Sequence, residues 1–340
     1  MPTNYDYTSI AHAVSRTRAS GDSETLTEYR PQGSIETNEL LIFLKPELTH
    51  RYPNDQRTFD LCLEKMRAFD CEIIAASVLG SKYLERHRLI EAHYGLINAY
   101  STGGIDALPP DARTRAAEAI ATSGRPANTR VLGAHQVLER FDVVTADDLL
   151  SWHDSADETI RLGSGAYAFF HRVADDDVLI IDGFHPAQLL HFYGTDDPIV
   201  VLVVRSSAAW EALRVNMCGA TNPAKAAAGS IRQSLLAQRE SLQLSHLDSM
   251  RNGIHVSAGP VEAAVEISRY LSNPDLGIEL RFADTSFGAA LARELDNERL
   301  NAIANNEEVP IRGRASQAAF DATEHVDAPA ASQLLTDGEP

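Results

Sequence analysis

Cysteine is scarce in this chain. Its 340 residues hold three, Cys62, Cys71 and Cys218, and none belongs to a C-x-x-C pair. Nothing in that spacing suggests a zinc site or a disulfide framework, and Cys62 and Cys71 read as small buried residues in apolar patterns. Basic residues are short too: 30 Lys and Arg stand against 48 Asp and Glu, a formal net charge of −18. A general nucleic-acid binder needs a basic surface, so no nucleic-acid partner is expected. A nucleotide asks for less, a local cluster of Arg, Lys and backbone N–H groups. No apolar run reaches the ~20 residues that span a bilayer, and the start "MPTNYDYTSIAHAVSRTRASG" lacks a signal-peptide apolar core. No membrane partner and a reducing, cytoplasmic location are the expectations. A Walker A loop and a G-x-G-x-x-G are both absent, as is any internal repeat.

What is present points to a globular protein. Hydrophobic residues make up 44% and charged residues 23%, and the length suits one large domain or two ordinary ones. Residues 1–36 are polar without a sustained period and read as a loose arm. "ELLIFLKPE" (39–47) reads as a buried strand stopped by Pro46, which cannot continue a central ladder. A helical face follows at 55–70, a strand at 71–81, and a helix at 82–95 ended by Gly95. Residues 98–183 change character: a Gly/Pro-rich breaker opens them, an alanine-rich helix follows, and Thr145 and Asp148 have capping-box spacing. The apolar pattern resumes from residue 184 with a short helix, the strand "PIVVLVVR" (198–205), a helix at 207–219 and a loop at 220–233. Then come a short strand holding His255 and a helix at 259–271. A C-terminal extension (273–308) offers a strand candidate at 278–284, and the Ala-, Asp- and Pro-rich residues 309–340 read as a flexible tail. Several connections are too short for parallel crossovers. The expected class is therefore α+β, a compact sandwich with helices on a mainly antiparallel sheet.

Three patches carry candidate chemistry: "LKPE" at the first strand's end, "GATNPAKAAAGSIR" (219–232) and "NGIHVS" (252–257). Taken singly, the first is a strand end, the second a turn, and the third a histidine of the kind that most often serves structure. In this order, with "EAHY" (91–94) and "NGIHVSAGPVEAAVEI", they resemble the nucleoside diphosphate kinase family over residues 38–97 and 184–272. The resemblance implies a ferredoxin-like α/β sandwich (core 37–97 and 184–272, insert 98–183) and a two-step transfer of the γ-phosphate of ATP or another nucleoside triphosphate. His255 would become a phosphohistidine and discharge to a nucleoside diphosphate or a nucleotide-like metabolite. Lys45 would supply charge at the γ-phosphate, Arg214 and Arg232 would hold the other phosphates, and the Thr221 hydroxyl would add a hydrogen bond. Tyr94 would sit near the transferred group, Asn252 would contact the sugar, and Ser257 would support the carboxylate or the phosphate. Glu266 would accept the imidazole Nδ1–H. Phe184 is a candidate platform for the base. Mg²⁺ would ride on the nucleotide phosphates, and a homo-oligomer, dimer or higher, is implied.

The departures are specific. His255 is followed by Val256, Ser257 and Ala258, where the family has Gly, Ser and Asp. Ala228 stands where a proline is expected, and about ten extra residues precede Asn252. The stretch from Arg214 to the loop is one residue longer than usual. A valine beside the nucleophile raises the alternative of a nucleotide-binding regulatory or interaction protein with impaired transfer.

Overall fold

The computed structural model describes residues 7–52, 54–244 and 246–336. The chain divides into two compact units, Met1–Tyr83 with Asp196–Pro340, and Leu84–Thr195.

The first unit is built on a five-stranded sheet of β1 (Ser23–Thr27), β2 (Asn38–Leu44), β3 (Glu72–Leu79), β4 (Ile199–Ser206) and β5 (Ile254–Val256), in the order β1-β3-β4-β2-β5. Every neighbouring pair is antiparallel. Without β1, the strands and their helical connections run β-α-β-β-α-β in the order of a ferredoxin-like α+β sandwich. β2 (NELLIFL) and β4 (IVVLVVRS) are apolar on both faces because both faces are covered. One face, with Leu40, Ile42, Leu44, Val200, Leu202 and Val204, packs on α1 (Tyr7–Ser20), on α2 (Arg57–Ala68), and on Trp210, Leu213 and Met217. On the opposite face, Tyr270 of α3 (Pro260–Leu271) meets Phe43 with ring centroids 5.6 Å apart.

The second unit has a four-stranded sheet in the order Arg130–Gly133, Asp176–Ile181, Ala166–Val173, Ile160–Gly163; the first pair is parallel and the others antiparallel. Helix Ala146–Asp154 opens with the capping box read from the sequence: Asp148 N donates to Thr145 Oγ1 (3.1 Å), and Thr145 N donates to Asp148 Oδ2 (2.9 Å). Among the described residues no helix is long and apolar enough to cross a membrane.

Three sequence expectations need correction. The N-terminal segment is not a loose arm over its described residues: Ile10, Ala13, Val14 and Thr17 follow i, i+3, i+4, i+7 spacing and are buried, and β1 joins the sheet. Residues 309–336 are not a flexible tail. Val309, Ile311, Ala319, Ala322, Ala328, Ala331 and Leu335 share a core with Phe287, Leu291, Ile303 and with Val261 and Ala264 of α3. Small alanines at helical spacing let these elements approach closely, which composition alone conceals. Residues 1–6 and 337–340 of those two segments lie outside the described residues. The strand at 278–284 is replaced by a single bridge, Asn273 to Ile278, and a 3₁₀ turn at Phe282–Asp284. The second unit, Leu84–Thr195, contains residues 98–183 and also holds both Tyr94 and Phe184.

Candidate functional site

β5 is only three residues long, and its register with β2 sets the site: Ile42 opposes Val256, Phe43 opposes His255, and Leu44 opposes Ile254. Strand alternation sends Ile254 and Val256 into the main core and His255 to the other face. There the imidazole stacks on Phe43, centroids 4.7 Å apart at 20°. Its Nε2 lies 2.8 Å from Glu266 Oε1, with the histidine side chain 15% exposed and the glutamate 3%. The expectation that Glu266 takes Nδ1 is therefore corrected. Nε2, the ring nitrogen further from the backbone, is the one that reaches α3. Ser257 Oγ donates to Glu266 Oε2 at 2.5 Å and accepts Leu41 N at 3.1 Å, which ties the carboxylate to the sheet.

Burial holds the His255 pKa well below its ordinary value, and Arg214, Lys45, Arg232 and Arg269 push in the same direction. The imidazole is thus neutral near pH 7, as a nucleophile requires. Burial raises Glu266 to about 7, against the contrary pull of Ser257, Arg269, Arg214 and Glu262.

Lys45 leaves β2 just before Pro46, the first residue of helix Pro46–Thr49, and is buried. Its Nζ donates to Met250 O (2.9 Å) and Asn252 Oδ1 (2.8 Å). Burial lowers its pKa to about 8, with Glu47 opposing. Asn252 Nδ2 donates to Thr221 O and to Ser249 O, both at 3.0 Å. One buried amide thus joins the end of β2, the 219–229 loop and the longer segment before β5. That segment is held by Leu242 and Leu247 in the main core and by Asp248, whose Oδ1 accepts Met250 N (2.7 Å) and Arg251 N (2.6 Å). Thr221 is exposed at the loop's start.

Arg232 sits in the first turn of helix Ile231–Ala237 and is 5% exposed. Its Nη1 donates to Gly219 O (2.9 Å) and its Nη2 to Ile254 O (2.8 Å). Gly219 has φ 93°, and a Cβ there would lie 2.4 Å from Ser230 Oγ, so only glycine fits. The extra residue after Arg214 is absorbed by a π-helical turn at Leu213–Cys218. Arg214 thereby keeps its aim on β5, where Nη1 donates to Val256 O. The side chain of Val256 is fully buried in the core on the face opposite the imidazole. It does not crowd the imidazole.

Lys45, Arg214, Arg232, Asn252, His255, Ser257 and Glu266 therefore gather in the first unit. Tyr94 and Phe184 lie in the second, at the end of helix Leu89–His93 and at the start of helix His185–Tyr193. Sequence reasoning missed Phe43, the surface under the imidazole; Trp210, whose Nε1 donates to Ser257 O at 3.2 Å; and Glu262, whose Oε1 accepts Ala258 N at 3.1 Å. The signal for Glu262 was available: it precedes Glu266 by four residues and shares its helical face.

A neutral, oriented imidazole backed by a carboxylate and ringed by cations defines a histidine site suited to phosphate chemistry on a ferredoxin-like sheet. Residues 185–276 match the nucleoside diphosphate kinase family model. The nucleoside diphosphate kinase of a Roseiflexus species is 39% identical over 84 residues, 25% of this chain and 49% of that protein. The enzyme of the same name from Archaeoglobus fulgidus is 37% identical over 84 residues, 25% of this chain and 48% of its own length. The chain thus spans about half the length of these curated relatives. Among solved structures, an NDP kinase from Pyrobaculum aerophilum aligns with TM-score 0.34 and 16% identity, covering 69% of this chain and 95% of the other. The Borrelia burgdorferi nucleoside-diphosphate kinase with bound vanadate and ADP aligns with TM-score 0.33 and 17% identity, over 73% and 93%.

Proposed function

We propose that this chain is a phosphotransferase that moves the γ-phosphoryl group of a nucleoside triphosphate through a phosphohistidine at His255. The acceptor is a nucleoside diphosphate or a nucleotide-like metabolite. The supporting observation is the His255 Nε2 to Glu266 Oε1 approach of 2.8 Å within a ring of four cations.

The neutral imidazole carries its proton on Nε2, toward Glu266, so the lone pair on Nδ1 attacks the γ-phosphorus in line. The N–P bond forms as the bond to the β,γ-bridging oxygen breaks, and the nucleoside diphosphate leaves with that electron pair. The ring becomes cationic and Glu266 offsets the charge. An oxygen of the acceptor's terminal phosphate then attacks phosphorus, the N–P bond breaks, and the neutral ring returns with no net proton change. Lys45, Arg214 and Arg232 exchange their carbonyl partners for phosphate oxygens, whose charge must be neutralised in the transition state, and the Thr221 hydroxyl adds a donor. Mg²⁺ would be held by the nucleotide's own phosphates and would supply charge neutralisation. The acids beside Lys45 fit that role poorly as ligands, since Glu47 Oε1 accepts Gly253 N (2.7 Å) and Asp248 Oδ1 accepts two backbone N–H groups. Asn252 holds Lys45 before nucleotide binds and is freed toward the sugar when Lys45 turns to the phosphate. Assembly into a dimer or higher oligomer completes the proposal.

The burial of the Val256 side chain in the core, on the face opposite the imidazole, supports transfer over the reading of a transfer-impaired regulator. The test is incubation with γ-labelled ATP and Mg²⁺ without acceptor. Acid-labile, base-stable label that is lost in His255→Ala is the expected result; no label with ATP binding intact would overturn the mechanism.

A further inference from the structure

We propose that Glu262 is a positioning residue for the His255–Glu266 pair: it serves as a neutral carboxylic acid whose O–H is donated to Glu266, so that Glu266 stays the carboxylate facing Nε2. This rests on the phosphohistidine reading above.

Glu262 and Glu266 lie one helical turn apart on α3 and face the same way. The first turn of α3 fixes Glu262, because its Oε1 accepts Ala258 N at 3.1 Å. Its other oxygen remains for Glu266. Glu266 is buried and Glu262 half-buried, and two carboxylates one helical turn apart on the same face at such a site do not readily ionise together; they hold one proton between them. The donors decide which residue carries it. Glu266 faces the Ser257 hydroxyl at 2.5 Å, which favours its anion, and lies 2.8 Å from His255 Nε2. Glu262 has one backbone N–H.

The titration directions agree. Burial, then Glu266, push Glu262 up to about 8, with Glu324 adding to the rise and Ala258 N and Arg214 opposing it. Glu266 stays lower, at about 7, eased by Ser257, Arg269, Arg214 and a hydrogen bond from Glu262. Lys45 and Arg232 act on the imidazole beyond. As the ring takes the phosphoryl group it becomes cationic, and the Glu266 carboxylate must keep its place beside it. When Glu262 ionises, it loses its donor and repels Glu266, and the ring loses its orientation.

The experiment follows the rate of His255 labelling from γ-labelled ATP between about pH 6 and 9.5, together with the ¹⁵N shifts of the His255 ring without nucleotide. Glu262→Gln keeps the size and an N–H donor but cannot ionise; Glu262→Ala removes the donor. The wild-type rate falls above about pH 8. Glu262→Gln holds the neutral-pH rate and makes that alkaline fall shallower, the part that remains being the loss of charge on Lys45, whose own pKa is lowered to about 8. Glu262→Ala is slower by about tenfold or more, the worth of a hydrogen bond to a charged group, and its ring spectrum shifts toward a mixture of tautomers. An unchanged alkaline fall in Glu262→Gln, or a wild-type rate and spectrum in Glu262→Ala, overturns the proposal. If the wild type takes no label, the phosphotransfer reading has failed and the ring spectra decide alone. A change in the ring near pH 8 that is lost in Glu262→Gln upholds the role, and identical spectra overturn it.

Discussion

Removing the Asn252 side chain tests how the site is held together. Asn252→Ala deletes three hydrogen bonds: one from the Lys45 ammonium at 2.8 Å and two, at 3.0 Å, to the carbonyls of Thr221 and Ser249. A bond to a charged group is worth about 1.5–3 kcal/mol and a neutral one about 0.5–1.5 kcal/mol. The sum runs from about 2.5 to 6 kcal/mol, and since bonds through one amide are not independent, the expected loss is about 3–4 kcal/mol. Lys45 is buried and keeps only Met250 O of its two hydrogen-bond acceptors, so its pKa falls further below about 8. Urea unfolding gives the stability and the Lys45 side-chain carbon shifts give the titration. Asn252→Asp separates the two effects: it loses both amide donations but sets a negative charge beside Lys45, which moves the lysine back toward 10.5. A loss below about 1 kcal/mol in Asn252→Ala, with the Lys45 titration unmoved, would refute the knot.

Three further outcomes are expected. Ser257→Ala removes the donor to Glu266 Oε2 and the acceptor for Leu41 N; it should cost about 1–3 kcal/mol and move Glu266 above about 7 in a carboxyl carbon titration, and an unmoved Glu266 would contradict the contact. Gly219→Ala forces a side chain into φ 93° and against Ser230, so Tm should fall by several degrees and Arg232 should lose its carbonyl partner; a wild-type Tm would contradict the fit. Glu262 is raised from 4.5 to about 8, so its stabilising contribution is fully present below pH 4.5 and lost as pH rises through about 8. The difference in unfolding free energy, wild type minus Glu262→Gln, should fall across that window at up to about 1.4 kcal/mol per pH unit, and a flat difference would refute the shift.

Much of the sheet could be read from the chain, because β2 and β4 are continuous apolar runs and only strands covered on both faces read that way. The gathering of Lys45, Arg232 and His255 was legible for another reason: loop and strand-end chemistry is written in local patterns. What escaped reading depended on partners far away in sequence. Val256 looked like an obstruction because sequence order places it beside His255, whereas strand alternation places it on the other face. Nothing local reveals that the Asn252 amide joins Lys45 to the carbonyls of Thr221 and Ser249. The surplus residue after Arg214 looked like a fault in the match, yet a π turn takes up a single insertion while both helix ends stay in register. α1 and the C-terminal helices were missed because alanines and polar residues dilute a helical period that their buried positions still obey.

The connection from β3 to β4 carries the whole of the second unit, yet Leu79 pairs with Ile199 on adjacent strands. The entropy of closing a loop grows only with the logarithm of its length, about 0.6 kcal/mol for each doubling. Residues 84–195 also have a sheet and apolar cores of their own, so their order is secured without drawing on the β3–β4 ladder. A short turn there could therefore be exchanged for a domain at small thermodynamic cost. The burden falls on kinetics instead: Leu41 must find Ser257 across 216 residues and Lys45 must find Asn252 across 207. Contacts that distant in sequence form slowly, so the histidine site should be among the last parts of the molecule to assemble during folding.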